Sequence, residues 1–147
     1  MSKDLSIFVK FQKELPSVWH LICCFEKIGW NCYDKEGNIT FFDATSGEDY
    51  DWKCINFCES AREQLIQSSF NKNGVIGIIL YYKDTGIGVS MLVNSLEEIQ
   101  LICNINRVTV SNNSAITDFA WYFNKIIIPM GNNDLVFDQI EFCADNY

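Results

Sequence analysis

The sequence predicts a single α+β domain, 1–147, with a mostly antiparallel sheet packed with about three helices. Three observations support this class: several segments alternate apolar and polar residues, short turn-rich connections join them, and the helical patterns are segregated from the central strands. A chain of 147 residues is long enough to bury a stable core as one domain. The strand-helix order at the start leaves room for one parallel pair within the sheet.

The composition is that of a folding chain. Hydrophobic residues make up 48% and charged residues 20%, which is far from the pattern of disordered proteins. The chain has two prolines and contains no repeat and no linker rich in proline, glycine or serine. We therefore expect it to fold without a partner.

The first two elements are a strand and a helix. Residues 5–11 alternate apolar and polar side chains, which predicts a strand with one buried face. Pro16 suits the first turn of a helix and Gly29 suits its end, and apolar residues recur between them at helical spacing.

A hairpin and a second helix are predicted next. Residues 30–33 and 39–42 flank a turn-forming segment, 34–38, which favours a hairpin. Residues 54–66 then place apolar side chains on one helical stripe, and Asp49 or Asp51 could cap that helix.

The middle of the chain predicts the centre of the sheet. Residues 75–82 and 87–94 are rich in β-branched and aromatic residues and are joined by a four-residue connection. Residues 99–105 alternate again and favour a further strand, although 95–98 could instead begin a helix.

The last elements are a third helix and a final strand. Aromatic and apolar residues from Phe119 to Ile126 indicate a helix that Thr117 or Ser114 could cap and that Pro129 should stop. Residues 135–142 then read as a strand.

The charge balance limits the partners. The chain carries 11 Lys and Arg against 19 Asp and Glu, for a formal net charge of −8, and its bases are scattered. This argues against nucleic acid and anionic membranes as partners. The longest apolar runs fall well short of the ~18 residues of a spanning helix. With no secretory signal visible at the N-terminus, we expect a cytoplasmic protein.

An acidic run is the most distinctive local feature. Residues 43–51 hold four carboxylates and no base, and two large amphipathic aromatic residues are interleaved with them or follow them. Carboxylates around aromatic side chains suit an interface with a basic protein. The predicted partner-binding residues are Asp43, Glu48, Asp49, Tyr50, Asp51 and Trp52. A solvated loop leading into a helix N-terminus is the alternative.

A second acidic stretch lies near the C-terminus. No base follows Lys125, and four acidic side chains precede the terminal carboxylate: Asp134, Asp138, Glu141 and Asp145. If both stretches faced one way, their combined field would speed the encounter with a cationic partner.

The cysteines and the single histidine favour structure over chemistry. His20 and Cys23 share a helical face, but no glycine-rich turn beside them offers oxyanion donors. Cys54 and Cys58 lack the paired Cys-x-x-Cys units of a structural zinc site, and the acidic run lacks the ligand pattern of a calcium loop. We expect structural thiols, no metal and no cofactor.

The C-terminal third carries a resemblance to a known class of proteins. The strand end at residues 105–107, the helix opening at 116–122 and the pair Ile126 and Ile127 resemble small cytoplasmic immunity proteins of bacterial polymorphic toxin systems, including contact-dependent growth inhibition. The resemblance implies a protein without catalytic residues that binds the toxic C-terminal domain of a cognate effector and blocks its active site or access to it. It assigns no binding residue to this sequence.

Three functional hypotheses follow. The first is a non-enzymatic immunity protein that neutralises a basic, nuclease-type toxin domain through the acidic run. The second is a small cysteine-dependent enzyme using Cys23 or Cys24 with His20. The third is a structural or oligomeric module that pairs with another chain through an exposed edge strand such as 135–142.

Overall fold

An antiparallel sheet dominates the fold. The structure, a computed structural model, describes residues 3–43, 52–56, 58, 75–133 and 135–146. Its strands in chain order are β1 (Lys3–Phe11), β2 (Trp30–Asn31), β3 (Asn38–Asp43), β4 (Lys53–Asn56), β5 (Ile76–Tyr82), β6 (Gly88–Ser95), β7 (Glu98–Ile105), β8 (Thr109–Val110), β9 (Asn113–Thr117) and β10 (Phe137–Asn146).

Eight of these strands form one sheet in the order β10-β1-β7-β6-β5-β3-β4, with β2 also paired to β5. The strands β8 and β9 form a separate two-stranded sheet. Every pairing between described strands is antiparallel, so the mostly antiparallel sheet is confirmed and the parallel pair that the opening order allowed is absent from these pairings.

The predicted central strands lie at the centre. The strands β5, β6 and β7 are consecutive neighbours, and their core-facing residues are buried. The connection after β5 closes with a bond from the Tyr82 N–H to the Ile87 carbonyl, 2.8 Å, and Gly86 has φ +76°. Glycine adopts this left-handed conformation without the strain that a Cβ would add.

The first predicted helix is present, but Pro16 precedes its N-cap rather than standing in its first turn. The helix α1 spans Val18–Lys27, and the Ser17 side chain caps it by accepting from the His20 N–H. Gly29 follows the helix with φ +96°, which suits a glycine at a helix end. The helix buries one face in the hydrophobic core with Val18, Leu21, Ile22, Cys24 and Phe25.

The C-terminal helix, α2, runs past the proline that was expected to stop it. It comprises an α-helical turn, Phe119–Tyr122, a π-helical turn, Phe123–Ile127, and a last α-helical turn, Ile128–Gly131. Pro129 stands in the first turn of that last segment, within the continuous helix.

The tolerance of Pro129 has a tertiary cause. The residue four positions after Lys125 is Pro129, which has no N–H to donate to the Lys125 carbonyl. The Trp30 indole Nε1–H donates to that carbonyl instead, at 3.1 Å. Trp30 is completely buried, with ring centroids 5.0 Å from Tyr82 and 6.2 Å from Trp121. One side chain therefore satisfies the helix backbone and packs it onto the sheet.

The start of α2 is fixed by residues that carry the immunity-protein resemblance. Asp118, rather than Thr117 or Ser114, caps the helix by accepting from the Trp121 N–H at 3.1 Å. Arg107 donates to the Thr117 hydroxyl at 2.7 Å and lies 3.8 Å from an Asp4 carboxylate oxygen. These contacts give this part of the pattern a structural role, holding β9 and the helix start against β1.

The second predicted helix is not present where it was expected to begin. Residues 53–56 form β4, which pairs with β3 in a register that places Ile55 opposite Ile39. Ile55 is half-buried between exposed Cys54 and Asn56, a period of two rather than 3.6. The remainder of the predicted helix, apart from Cys58, lies outside the described residues. The described chain thus has two helices, not about three.

The predicted hairpin of residues 30–42 also differs. The strands β2 and β3 both pair with β5 rather than with each other along their length. The turn between them is closed as its composition suggested, because the Asp34 carboxylate accepts from the N–H groups of Glu36 and Asn38.

The core holds ionisable groups in their neutral forms. Burial raises the pKa of Cys32 to about 12, and it raises the pKa of Tyr122 to about 12. The neutral Tyr122 hydroxyl accepts a hydrogen bond from the Val108 N–H at 3.0 Å, which ties α2 to the segment after β7. Burial also raises the pKa of Cys103.

These shifts predict a loss of stability in alkali. Above about pH 9 the unfolded chain releases the Cys32 proton that the folded chain retains, so the stability present below that pH is lost as the pH rises towards 12. The substitution Cys32→Ala removes packing contacts and lowers the free energy of unfolding at pH 7. Above pH 9 the difference in this free energy between the parent and the variant should shrink by up to about 1.4 kcal/mol per pH unit, because only the parent loses the stability that comes from Cys32. Urea unfolding at pH 7, 9.5 and 10.5 measures this difference.

The Cys54→Ala variant, unfolded at the same three pH values, is the matched cysteine-to-alanine control at an exposed position. A difference for Cys32→Ala that does not change with pH would contradict the assignment.

Candidate protein-binding surfaces

The structure places part of the predicted partner-binding set. Asp43 ends β3, and only its backbone is described. Trp52 stands directly before β4, and its side chain is described. Glu48, Asp49, Tyr50 and Asp51 lie outside the described residues. These four and the Asp43 side chain stay predictions.

Trp52 is an exposed aromatic side chain on a firm support. It is 42% exposed, and its ring meets the Phe42 ring edge to face with centroids 4.7 Å apart. Phe42 is only 4% exposed, because its ring lies over Gly77 of the neighbouring strand, where a Cβ would overlap it. The absence of a side chain at Gly77 therefore makes room for Phe42, and Phe42 in turn supports Trp52.

This arrangement suits protein recognition. A large amphipathic ring held in place before binding loses little conformational freedom when a partner covers it. The neighbouring β4 side chains Lys53, Cys54 and Asn56 are exposed and polar or small. Trp52 thus has the properties of an anchor at the β3–β4 edge of the sheet.

The two strands that adjoin the acidic stretches are far apart in the sheet. The strand β3, which Asp43 ends, and β10, which holds Asp138 and Glu141, are separated by five inter-strand spacings. Five spacings correspond to about 24 Å. The twist of a sheet rotates strands that far apart by roughly 100°. The end of β3 and the acids of β10 are therefore far from each other, and residues 44–51 of the acidic run lie outside the described residues.

The β10 edge carries a partly exposed aromatic cluster that the sequence analysis did not single out. Phe119 is 45% exposed and contacts Phe142 of β10 with centroids 4.2 Å apart, and it stacks on Phe123 at 5.9 Å. Ile116, on β9, is 48% exposed. The sequence did contain a signal for this exposure, because α2 has aromatic or apolar residues on both of its sides. A helix that packs on a sheet with one side leaves the other side uncovered.

The structure places the histidine and the two cysteines of α1 at different degrees of burial. The His20 side chain is exposed, Cys23 is half-buried and Cys24 is buried. Burial raises the pKa of Cys24, with a smaller opposing effect of Lys27. A catalytic thiol needs the opposite shift, towards the thiolate.

The disfavoured zinc alternative required Cys54 and Cys58 to share one face of a helix. Cys54 belongs to β4, so it does not share a helical face with Cys58. Across the residues that the structure describes, no group of three or more His, Cys, Asp or Glu side chains could hold a metal ion.

Comparisons with protein-family models, with curated proteins and with solved structures find no match for this chain. Within the described ranges, none of the helices combines the length and the apolar composition needed to cross a membrane.

The support of Trp52 by Gly77 is testable. We expect Gly77→Ala to displace the Phe42 ring and to lower the free energy of unfolding by about 1–3 kcal/mol through overpacking. The emission maximum of Trp52 should shift when the Phe42 ring moves. The Trp52 contribution is obtained by subtracting the spectrum of the matching Trp52→Phe variant. The measurements are urea unfolding and emission spectra.

Gly131→Ala is the matched control. A Cβ at Gly131 would stand 3.6 Å from Phe137, an ordinary contact, and Gly131 is helical. Alanine there should be neutral or stabilising by up to about 1 kcal/mol. Equal effects of the two substitutions would contradict the role of Gly77.

Proposed function

We propose that this protein is a non-enzymatic immunity protein that binds and neutralises a cognate toxin C-terminal domain, a basic nuclease-type domain, in the cytoplasm. The observation that carries the proposal is Trp52, an exposed ring fixed on buried Phe42 and directly following the acidic run. The binding residues in this proposal are Asp43, Glu48, Asp49, Tyr50, Asp51 and Trp52.

The charge of the chain supports this partner. A net charge of −8 attracts a basic protein and repels the nucleic acid on which a nuclease acts. An inhibitor with this charge therefore associates faster with a basic toxin and does not bind cellular nucleic acid.

The thiols support a binding role over the cysteine-enzyme alternative. Burial holds Cys24 and Cys32 towards their neutral thiol forms, so these two groups are poor nucleophiles near neutral pH. The resemblance at residues 105–107 and 116–122 points in the same direction.

The proposal places the partner in an upstream reading frame, as the C-terminal domain of a large protein, and the test uses that domain. One variant converts the four acids of the run to amides: Asp43→Asn, Glu48→Gln, Asp49→Asn and Asp51→Asn. We expect its association rate to fall about tenfold or more at low salt, and the difference to vanish near 1 M salt, where screening is complete within a few ångströms.

A second variant with the same change of net charge is the control. It neutralises four exposed acids elsewhere: Glu14→Gln, Asp84→Asn, Glu97→Gln and Glu98→Gln. If both variants slow association equally, net charge rather than the acidic run governs the encounter.

Trp52→Ala tests the anchor separately. Removing a central aromatic anchor typically costs about 2 kcal/mol or more of binding energy, so dissociation should accelerate about 30-fold. Stopped-flow or surface-based kinetics measure both rates, and survival of cells that co-express the toxin domain reports neutralisation. Unchanged kinetics and survival in Trp52→Ala and in the amide variant would refute the proposal.

A further inference from the structure

The strand β10 offers a long edge to the solvent. It has ten residues and pairs with β1 on one side, in an unbroken register from Gln139 to Asn146. It is the last strand in the sheet order, and no strand in the described ranges pairs with its outer side. An edge of this kind presents backbone N–H and C=O groups at every second residue, which is a template for a further strand.

The edge lacks two of the usual protections against pairing, proline and lysine. Proteins shield such edges with proline, lysine, short strands or bulges along the edge. The segment Phe137–Asn146 contains neither proline nor a base, and its one register shift lies at its start, opposite Phe11. The remaining length is regular enough to accept a partner strand.

The two faces beside this edge differ in chemistry. On the helix-covered face, Phe142 stands opposite completely buried Ile7 and contacts the exposed ring of Phe119. A strand added here would place apolar side chains against these rings.

The other face carries charge. Glu141 pairs with Phe8 on this face, and a shallow groove there is lined by Gln139, Glu141, Lys10 and Glu98. The two carboxylates outnumber the one base, so basic side chains of an added strand would be favoured on this face.

A second copy of the chain fits this edge poorly. An antiparallel β10–β10 pairing that overlaps the full strand would place Glu141 of each copy opposite Phe142 of the other, since the centre of Phe137–Asn146 falls between these two residues. A charged side chain would then stand opposite an aromatic one, and each copy carries a net charge of −8, so the two copies repel each other.

We propose that the outer edge of β10 binds an extended segment of a partner protein in which basic and apolar residues alternate, adding a ninth strand to the main sheet. The basic residues lie beside Glu141, and the apolar residues pack beside Phe119 and Phe142. This surface lies at the opposite edge of the sheet from Trp52, and the proposal does not rest on the toxin-binding function.

The test uses the full chain and a synthetic ten-residue peptide in which lysine alternates with valine. A second peptide has the same sequence and charge but is N-methylated on alternate residues, which removes the amides of one edge. We expect fluorescence anisotropy to show binding of the first peptide and at least about tenfold weaker binding of the second, because strand addition depends on backbone hydrogen bonds.

Two charge-reversal variants locate the site. Glu141→Lys should weaken binding of the first peptide about tenfold, while Glu14→Lys, an equal change at another exposed position, should leave it within about twofold. Hydrogen exchange should show the peptide protecting alternate amides within residues 139–146. Circular dichroism of both variants verifies that each is folded.

Three results would overturn the proposal. Equal binding of the two peptides would show attraction by charge alone, and absence of both binding and protection would show that the edge accepts no strand. Sedimentation of the protein as a dimer whose β10 amides are protected at micromolar concentration would assign the edge to a second copy instead.

Discussion

The hydrogen bond from the Trp30 indole to the Lys125 carbonyl joins the two layers of the fold where the helix backbone is weakest. Pro129 removes the N–H that would normally reach that carbonyl, and a π-helical turn passes over the gap. Leaving a partly buried carbonyl without a donor would cost about 1–3 kcal/mol. The indole meets this need from β2, 95 residues away in sequence, and its ring packs against Tyr82 and Trp121. The position of α2 on the sheet depends on this contact.

The position of α2 in turn shapes the β10 surface. With Trp121 directed to the β2–β5 side, Phe119 and Phe123 come to the β10 side and form the aromatic cluster with Phe142. At the far edge of the same sheet, the small size of Gly77 allows the support of Trp52. The fold thus presents two exposed aromatic sites on opposite edges of an acidic molecule. A single partner that used both would have to span the width of the sheet.

Sequence patterns predicted β1, α1 and β7 from one simple period, and they predicted β5 and β6 from runs of β-branched and aromatic residues that are buried along most of their length. They failed at β4, because four residues of an apolar stripe fit a helix as well as a strand, and pairing of Ile55 with Ile39 decides between them. They failed at Pro129, because the donor that compensates for it comes from a distant residue. The same limit applies to the surfaces, because the exposure of Phe119 depends on how α2 packs on the sheet, which no local pattern encodes.

A double-mutant cycle between Trp30 and Pro129 tests the central interaction most directly. The substitution Pro129→Ala restores an N–H four residues after Lys125, so the helix can supply the bond that the indole provides in the parent protein. The free energy of unfolding is measured in urea for the parent, Trp30→Phe, Pro129→Ala and the double variant. The account predicts that Trp30→Phe costs about 1 kcal/mol less in the Pro129→Ala background than in the parent. Equal costs in the two backgrounds would show that the indole does not replace the missing amide, and would contradict the account.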